Sequence, residues 1–285
     1  MGAIRERMIR EMELRGLSAA TKKSYVMCCR VFVAYFMKSP EQLDTEDVKV
    51  FLVHLMRERK AGPACARVYV AALRFLYRRV LKIPEVIDGI PLPKVSMTMP
   101  DVLSREEIVQ LLGAVRSLKL RTILTMAYAA GLRISEALRM RVEDVDSKRM
   151  VLHIRGAKGG KDRMVLLSPR LLVMLRDYWR AEHPKGPLLF PGRFGRHVHI
   201  DVLRRALWAT VAGLGLSKRV TLHSFRHGFA THLLEDGTDS RVIQQLLGHS
   251  SPLTTARYTQ VSTRNYRRVT SPLDRLALRK SAAHD

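Results

Sequence analysis

The residues best suited to chemistry gather in the last third of the chain. Residues 221–234 read Thr-Leu-His-Ser-Phe-Arg-His-Gly-Phe-Ala-Thr-His-Leu-Leu. On a helix, Phe225, Phe229 and Leu233 fall at i, i+4 and i+8, an apolar stripe for a core. His223 and Arg226 are i and i+3, so they share a different face. An imidazole beside a guanidinium repels a cation and invites an anion. Phosphate suits such a pair, because arginine donates to it through two parallel N–H groups. Zinc held by His223, His227 and His232 is a competing reading. Against it, the stretch lacks the glutamate of a His-Glu-x-x-His site, and a neighbouring arginine opposes a dication. A plain surface cluster of His and Arg is the third reading. Further on, Val242, Ile243, Leu246 and Leu247 mark a helix face that should end at Gly248 in the left-handed conformation. His249 follows at once, 23 residues after Arg226, and Tyr258 comes nine residues later. Each alone reads as a cap or a packing residue. Their joint appearance is far more specific.

One glycine-rich stretch invites a different reading. Gly156-Ala-Lys-Gly-Gly-Lys-Asp162 looks at first like a phosphate loop. A Walker A loop would need glycine at 155 and Ser or Thr at 162. Arg155 and Asp162 stand there, so nucleotide binding is not expected. The simpler reading is a hairpin turn with solvated lysines.

These residues need elements to hold them. Ser18 can cap a helix bearing Val26, Val31, Phe32, Tyr35 and Phe36. Asp44 and Thr45 precede a second run, with Val48, Phe51, Leu52, Leu55 and Met56. Gly62-Pro63 opens a third, which ends at Ile83-Pro84, because proline disfavours helix in the residue before it. Pro84, Asp88-Gly89, Pro91, Pro93 and Pro100 then crowd one segment, the best linker candidate. Ser104 and Glu107 restart the chain as a capping box. A helix is expected over Leu120–Ala130, stopping at Gly131. Residues 150–155 and 163–167 read as strands flanking the glycine-rich tip. Ser168-Pro169 starts another helix, and the rest is helical, broken at Gly192, Gly213-Gly215, Gly237 and Gly248.

Composition narrows the function. The 285 residues carry 50 Lys and Arg against 26 Asp and Glu, a net charge of +24. That excess points to a polyanion, above all nucleic acid. Residues 1–95 hold 18 Lys/Arg and 10 Asp/Glu, and residues 96–285 hold 32 and 16. Each part is basic by itself, which fits two domains on one duplex better than a basic tail. No stretch is long and apolar enough to span a membrane. Residues 1–10 are charged throughout, unlike a secretory leader. Cys28, Cys29 and Cys65 are an odd set with two adjacent, which argues for a reducing cytoplasm and against a disulfide framework.

The chain resembles the tyrosine recombinases of the phage-integrase family, close to the Xer and integron-integrase branch. Gly131-Leu-Arg-Ile-Ser-Glu136 resembles the segment with the family's first catalytic arginine, which implies Arg133. The glycine-rich hairpin resembles the β-turn bearing its lysine, which implies Lys158. Relatives often run Gly-Lys-Gly directly, and Ala157 departs from that. His223-Ser-Phe-Arg226 resembles the His-x-x-Arg box, Leu247-Gly-His249 the second histidine site, and Tyr258 falls at the nucleophile. The implied fold is mainly α. A helical SAM-like core-binding domain (residues 1–88) and a linker (89–101) precede a mixed α+β catalytic domain with a small antiparallel sheet (102–285). The implied reaction is strand cleavage and rejoining through a 3′-phosphotyrosine, with no metal, ATP or other cofactor. The implied partners are double-stranded DNA and a homo-tetramer on two paired sites, with C-terminal segments exchanged between protomers. A type IB topoisomerase would share the chemistry but relax one duplex, and a supercoil assay with and without paired sites separates the two. A non-catalytic DNA-binding protein is the reading from another class.

The leaving-group acid gives the first test. Lys158 lies 25 residues after Arg133 and precedes two glycines, which let backbone approach a DNA groove. Lys161 is followed by Asp162, whose carboxylate can pair with it. Lys158 is therefore expected to protonate the leaving 5′-oxygen, and Lys161 to touch phosphate. Lys158→Ala should slow cleavage by roughly 10²–10⁴-fold, the range for a lost general acid. A bridging 5′-sulfur, which leaves without a proton, should restore it. Rescue of Lys161→Ala instead would move the role by three positions.

Overall fold

Side-chain caps start many of the helices where the sequence places polar residues. The computed structural model describes residues 2–94, 101–156 and 162–248. The chain divides into two compact units, Met1–Thr98 and Met99–Asp285. In the first unit, α1 spans Gly2–Leu14, α2 Ala19–Phe36, α3 Thr45–Arg57 and α4 Pro63–Phe75. The Ser18 hydroxyl accepts from the Thr21 N–H at 3.2 Å. Asp44 and Asp47 each accept the other's backbone N–H, at 2.9 and 3.1 Å. Phe32 lies edge-on to Phe51 and Tyr77 in the middle of this unit, at 5.1 and 6.4 Å between ring centres. Cys28 and Cys29 are buried there as free thiols, while Cys65 is exposed.

Three local expectations change in this unit. The helix α1 has no counterpart in the sequence reading. It buries only Met8 and Met12, a face too narrow to stand out among its charges. The run after Gly62 is not one α-helix: it widens into a π-helical turn at Leu76–Leu81, closed by Lys82 in the left-handed conformation. The proline-rich stretch begins inside this unit's core. A short helix, α5, covers Glu85–Asp88. Ile87 and Ile90 are buried with the other apolar residues of the unit, and Arg74 donates to the Ile90 carbonyl at 2.8 Å.

The second unit is built on a helix apolar nearly all round. Its helices are α6 Arg105–Ala114, α7 Leu118–Ala129, α8 Ile134–Arg139, α9 Pro169–Glu182, α10 Ile200–Leu214, α11 Ser224–Glu235 and α12 Ser240–Leu247. Helix α7 buries Thr122 to Ala127 without a break, the pattern of a central helix. Its two buried threonines donate to the Leu118 and Arg121 carbonyls, at 2.8 and 2.9 Å. The helix starts at Leu118 rather than Leu120, because Ser117 accepts from the Leu120 N–H. Ser104 and Glu107 form the expected reciprocal cap of α6. Strands β1 Val145–Asp146, β2 Val151–Ile154 and β3 Arg163–Leu166 make one antiparallel sheet in the order β1-β2-β3. At two residues, β1 is too short to show an alternating pattern. Among the described residues, no helix is long and apolar enough to cross a membrane.

The end of α7 sets the position of Arg133. Gly131 has φ +61°, and a Cβ there would overlap the Phe229 ring and stand 3.0 Å from Leu247. The turn is therefore both left-handed and pressed against α11 and α12. It reverses the chain so that Arg133 becomes the residue before α8. Gly131→Ala should destabilise the fold by about 2 kcal/mol or more, since it combines a disfavoured φ with overpacking. Urea unfolding would measure this, and an unchanged midpoint would contradict it.

Candidate active site

Arg133 sits at the N-terminus of α8, and Glu136 one turn later folds back on it. The Glu136 carboxylate accepts from the Arg133 backbone N–H at 2.9 Å and from its guanidinium at 2.8 Å. Arg163, at the start of β3, donates to both oxygens of the same carboxylate, at 2.9 and 2.8 Å. Arg226 brings a third guanidinium to 3.9 Å from it. Glu136 is buried, at 8% exposure. Burial alone would raise its pKa, but the hydrogen bonds and charges of Arg163 and Arg133 pull it down to about 2. The carboxylate is thus ionised at neutral pH and orients the guanidiniums around it.

Among the described residues, Arg226 is the largest fully buried side chain, at 1% exposure. Near the start of α11, it donates to the Gly131 carbonyl at 2.8 Å and to the Leu247 carbonyl at 2.6 Å. It therefore joins the turn before Arg133 to the end of α12. Helix α12 closes at Gly248, left-handed as expected at φ 61°. Arg133 reaches the Gly248 carbonyl at 3.4 Å. The next residue is His249.

His223 is the residue before α11. It keeps solvent exposure, yet burial around its imidazole lowers its pKa from 6.5, and the charges of Arg226 and then Arg133 lower it further. The ring is therefore neutral at physiological pH and able to accept a proton. Its edge meets the His227 ring, with centres 4.5 Å apart. His223 and Arg133 line one open groove of about 480 Å³ together with Ile134, Arg204, Trp208 and Leu222.

Of the residues singled out in the sequence, the structure brings together Arg133, His223 and Arg226. Lys158, His249 and Tyr258 lie outside the described residues, as do Lys161 and the tail. The Asp162 carboxylate accepts from the Gly156 N–H at 2.8 Å, across the base of the hairpin, while its expected pairing with Lys161 lies outside the described residues. His232 goes elsewhere. Its Nε2 meets the Leu103 carbonyl at 3.0 Å, so that nitrogen carries the proton, and Nδ1 accepts from the Tyr128 hydroxyl at 2.9 Å. Both ring nitrogens are thereby engaged away from His223, which removes the third ligand of the zinc reading. Arg204 and Trp208, in the groove, were not singled out, nor was Arg163. An arginine at a strand start and a tryptophan on an amphipathic helix carry no spacing signal.

The depressed Glu136 pKa predicts an acid limb. Its folded value, about 2, lies below the unfolded value near 4.5. Stability from this group is therefore full above pH 4.5 and is lost as pH falls toward 2. The loss should be on the order of 3 kcal/mol. Urea midpoints measured from pH 7 to pH 2 should fall more steeply for the wild type than for Glu136→Gln. The variant should be less stable at pH 7, because it leaves buried guanidiniums without their counter-charge. Parallel acid limbs would refute this role.

Comparison with known proteins agrees with the geometry. Residues 101–265 match the phage integrase family, and residues 4–85 match the N-terminal SAM-like domain of phage integrases. A Sinorhizobium fredii protein, y4qK, is 44% identical over 278 residues, which cover 97% of this chain and 90% of that protein. The tyrosine recombinase XerA of Pyrococcus horikoshii is 32% identical over 90% of this chain and 88% of its own. In fold, the chain is similar to a lambda integrase whose tetramer was solved bound to a Holliday junction. That similarity has a TM-score of 0.72 at 18% identity, over 90% of this chain and 76% of the other. With family models matched in both units and relatives above 30% identical over most of the chain, the chain belongs to the phage integrase family of tyrosine recombinases.

Proposed function

We propose that this tyrosine recombinase exchanges strands between two DNA duplexes, with Tyr258 as the nucleophile. The observation that carries the reading is the shared groove: Arg133 and His223 line it, and Glu136 ties Arg133 to the buried Arg226 behind. A phosphodiester placed there would meet a guanidinium and a neutral imidazole side by side.

The chemistry balances without a cofactor. The Tyr258 oxygen attacks phosphorus and gives its proton to His223. The bond from phosphorus to the 5′-oxygen breaks, and Lys158 protonates that oxygen. Arg133 offsets the charge on the non-bridging oxygens, as preorganised donors do in phosphoryl and acyl transfer. His249 donates to one of them. Arg226 adds positive charge at short range. The tyrosyl ester keeps the bond energy, and the 5′-hydroxyl of a partner strand releases it in the second step. Two such rounds, in a homo-tetramer on paired sites, exchange both strands. Affinity comes from the basic surfaces of both units, and base contacts select the site. A cytoplasmic location fits a reducing environment for three free thiols.

Covalent capture tests the reading. A random-sequence duplex library incubated with the protein should yield adducts that survive denaturation, and their junctions define the site. Tyr258→Phe should abolish the adduct while DNA affinity stays nearly intact, because the phosphate contacts remain. An adduct trapped by Tyr258→Phe would remove Tyr258 from this role. No adduct with the wild type would remove the reaction.

A further inference from the structure

Arg163 occupies a place that the roles above leave unused. It opens β3, at the foot of the hairpin that leads to Lys158. Its side chain is only 11% exposed, so it is poorly placed to hold DNA. Its planar fork spans both Glu136 oxygens. Its Nε donates to the Leu246 carbonyl in the last turn of α12, at 3.3 Å. Its stem also fills the space beside Gly248, where a Cβ would stand 2.9 Å from Cδ and 3.1 Å from Nε. Three segments therefore converge on one guanidinium. One leads to Lys158, one carries Arg133, and one ends at the residue before His249.

We propose that Arg163 is a positioning residue, which sets Arg133 and the turn into His249 without touching the substrate. The proposal rests on reading Arg133 as the phosphate-binding arginine. Its physical basis is the fork. Two parallel N–H bonds fix the plane of the Glu136 carboxylate, and that plane fixes the direction of the Arg133 guanidinium. A lysine at 163 would keep the charge but hold the carboxylate through a single point. The same stem keeps α12 close only because position 248 has no side chain.

The probe is the half-site duplex obtained by covalent capture, made with an ordinary scissile phosphate or with a methylphosphonate there. The methyl group removes one negative oxygen and so lowers the demand for arginine. Arg163→Met should cleave the phosphate duplex on the order of 10²-fold more slowly, the effect of displacing a catalytic group by about 1 Å. Its DNA affinity should stay within about threefold, with the same salt dependence, because no phosphate contact is removed. On the methylphosphonate duplex its deficit should shrink, as should that of Arg133→Ala. A simple loss of folded protein would slow both duplexes equally. Arg163→Lys should also be slow and should also recover, and it decides the matter if Arg163→Met does not fold. Gly248→Ala should show the same pattern, since its methyl displaces the Arg163 stem. Wild-type cleavage by Arg163→Lys, or equal slowing on both duplexes while Arg133→Ala recovers, would overturn the proposal. If Arg133→Ala itself does not recover, the phosphate-binding reading of Arg133 falls, and the proposal with it.

Discussion

One buried carboxylate shared by three guanidiniums organises the second unit. Glu136 is bonded to Arg133 and Arg163, with Arg226 at 3.9 Å. Removing ions from water is expensive, and a buried charge is tolerated only when its partners are placed well. Here each arginine comes from a different stretch of chain: the turn before α8, the start of β3, and α11. Satisfying one carboxylate therefore forces those stretches together. Positive charge still exceeds negative in the cluster, which suits a site that must receive an anion.

Two left-handed glycines let the backbone meet this requirement. Gly131 and Gly248 both have φ 61°, a conformation that side chains disfavour. In each case the missing Cβ also leaves room for a neighbour, the Phe229 ring at one turn and the Arg163 stem at the other. Arg226 then donates to the carbonyls of Gly131 and Leu247, so the two reversals are held by one side chain. Its burial follows from this. A guanidinium with carbonyl partners on both sides is less costly to bury than an unpaired one.

Burial first, and then the charges of Arg226 and Arg133, disfavour a proton on His223. In the proposed reaction, the same arginine charges would both offset the phosphate and keep His223 ready to take a proton from Tyr258.

Much of this was legible in the residues. The caps at Ser18, Asp44, Ser104 and Ser168, the stops at Gly131 and Gly248, and the flanking strands follow from local rules of hydrogen bonding and φ. The His223–Arg226 pairing follows from helical spacing. The basic charge of both parts follows from counting. Other features could not be read this way. Helix α1 buries too few residues to show a period, and strand β1 is two residues long. Arg163 gives no signal, because its partners lie 27 and 83 positions away in the chain. Local sequence sets the conformation of each segment, since caps, glycines and apolar periods act within a few residues. Which arginine meets Glu136, and which glycine must make room for it, depends on distant segments packing at atomic distance, and it was settled only when the chain closed on itself.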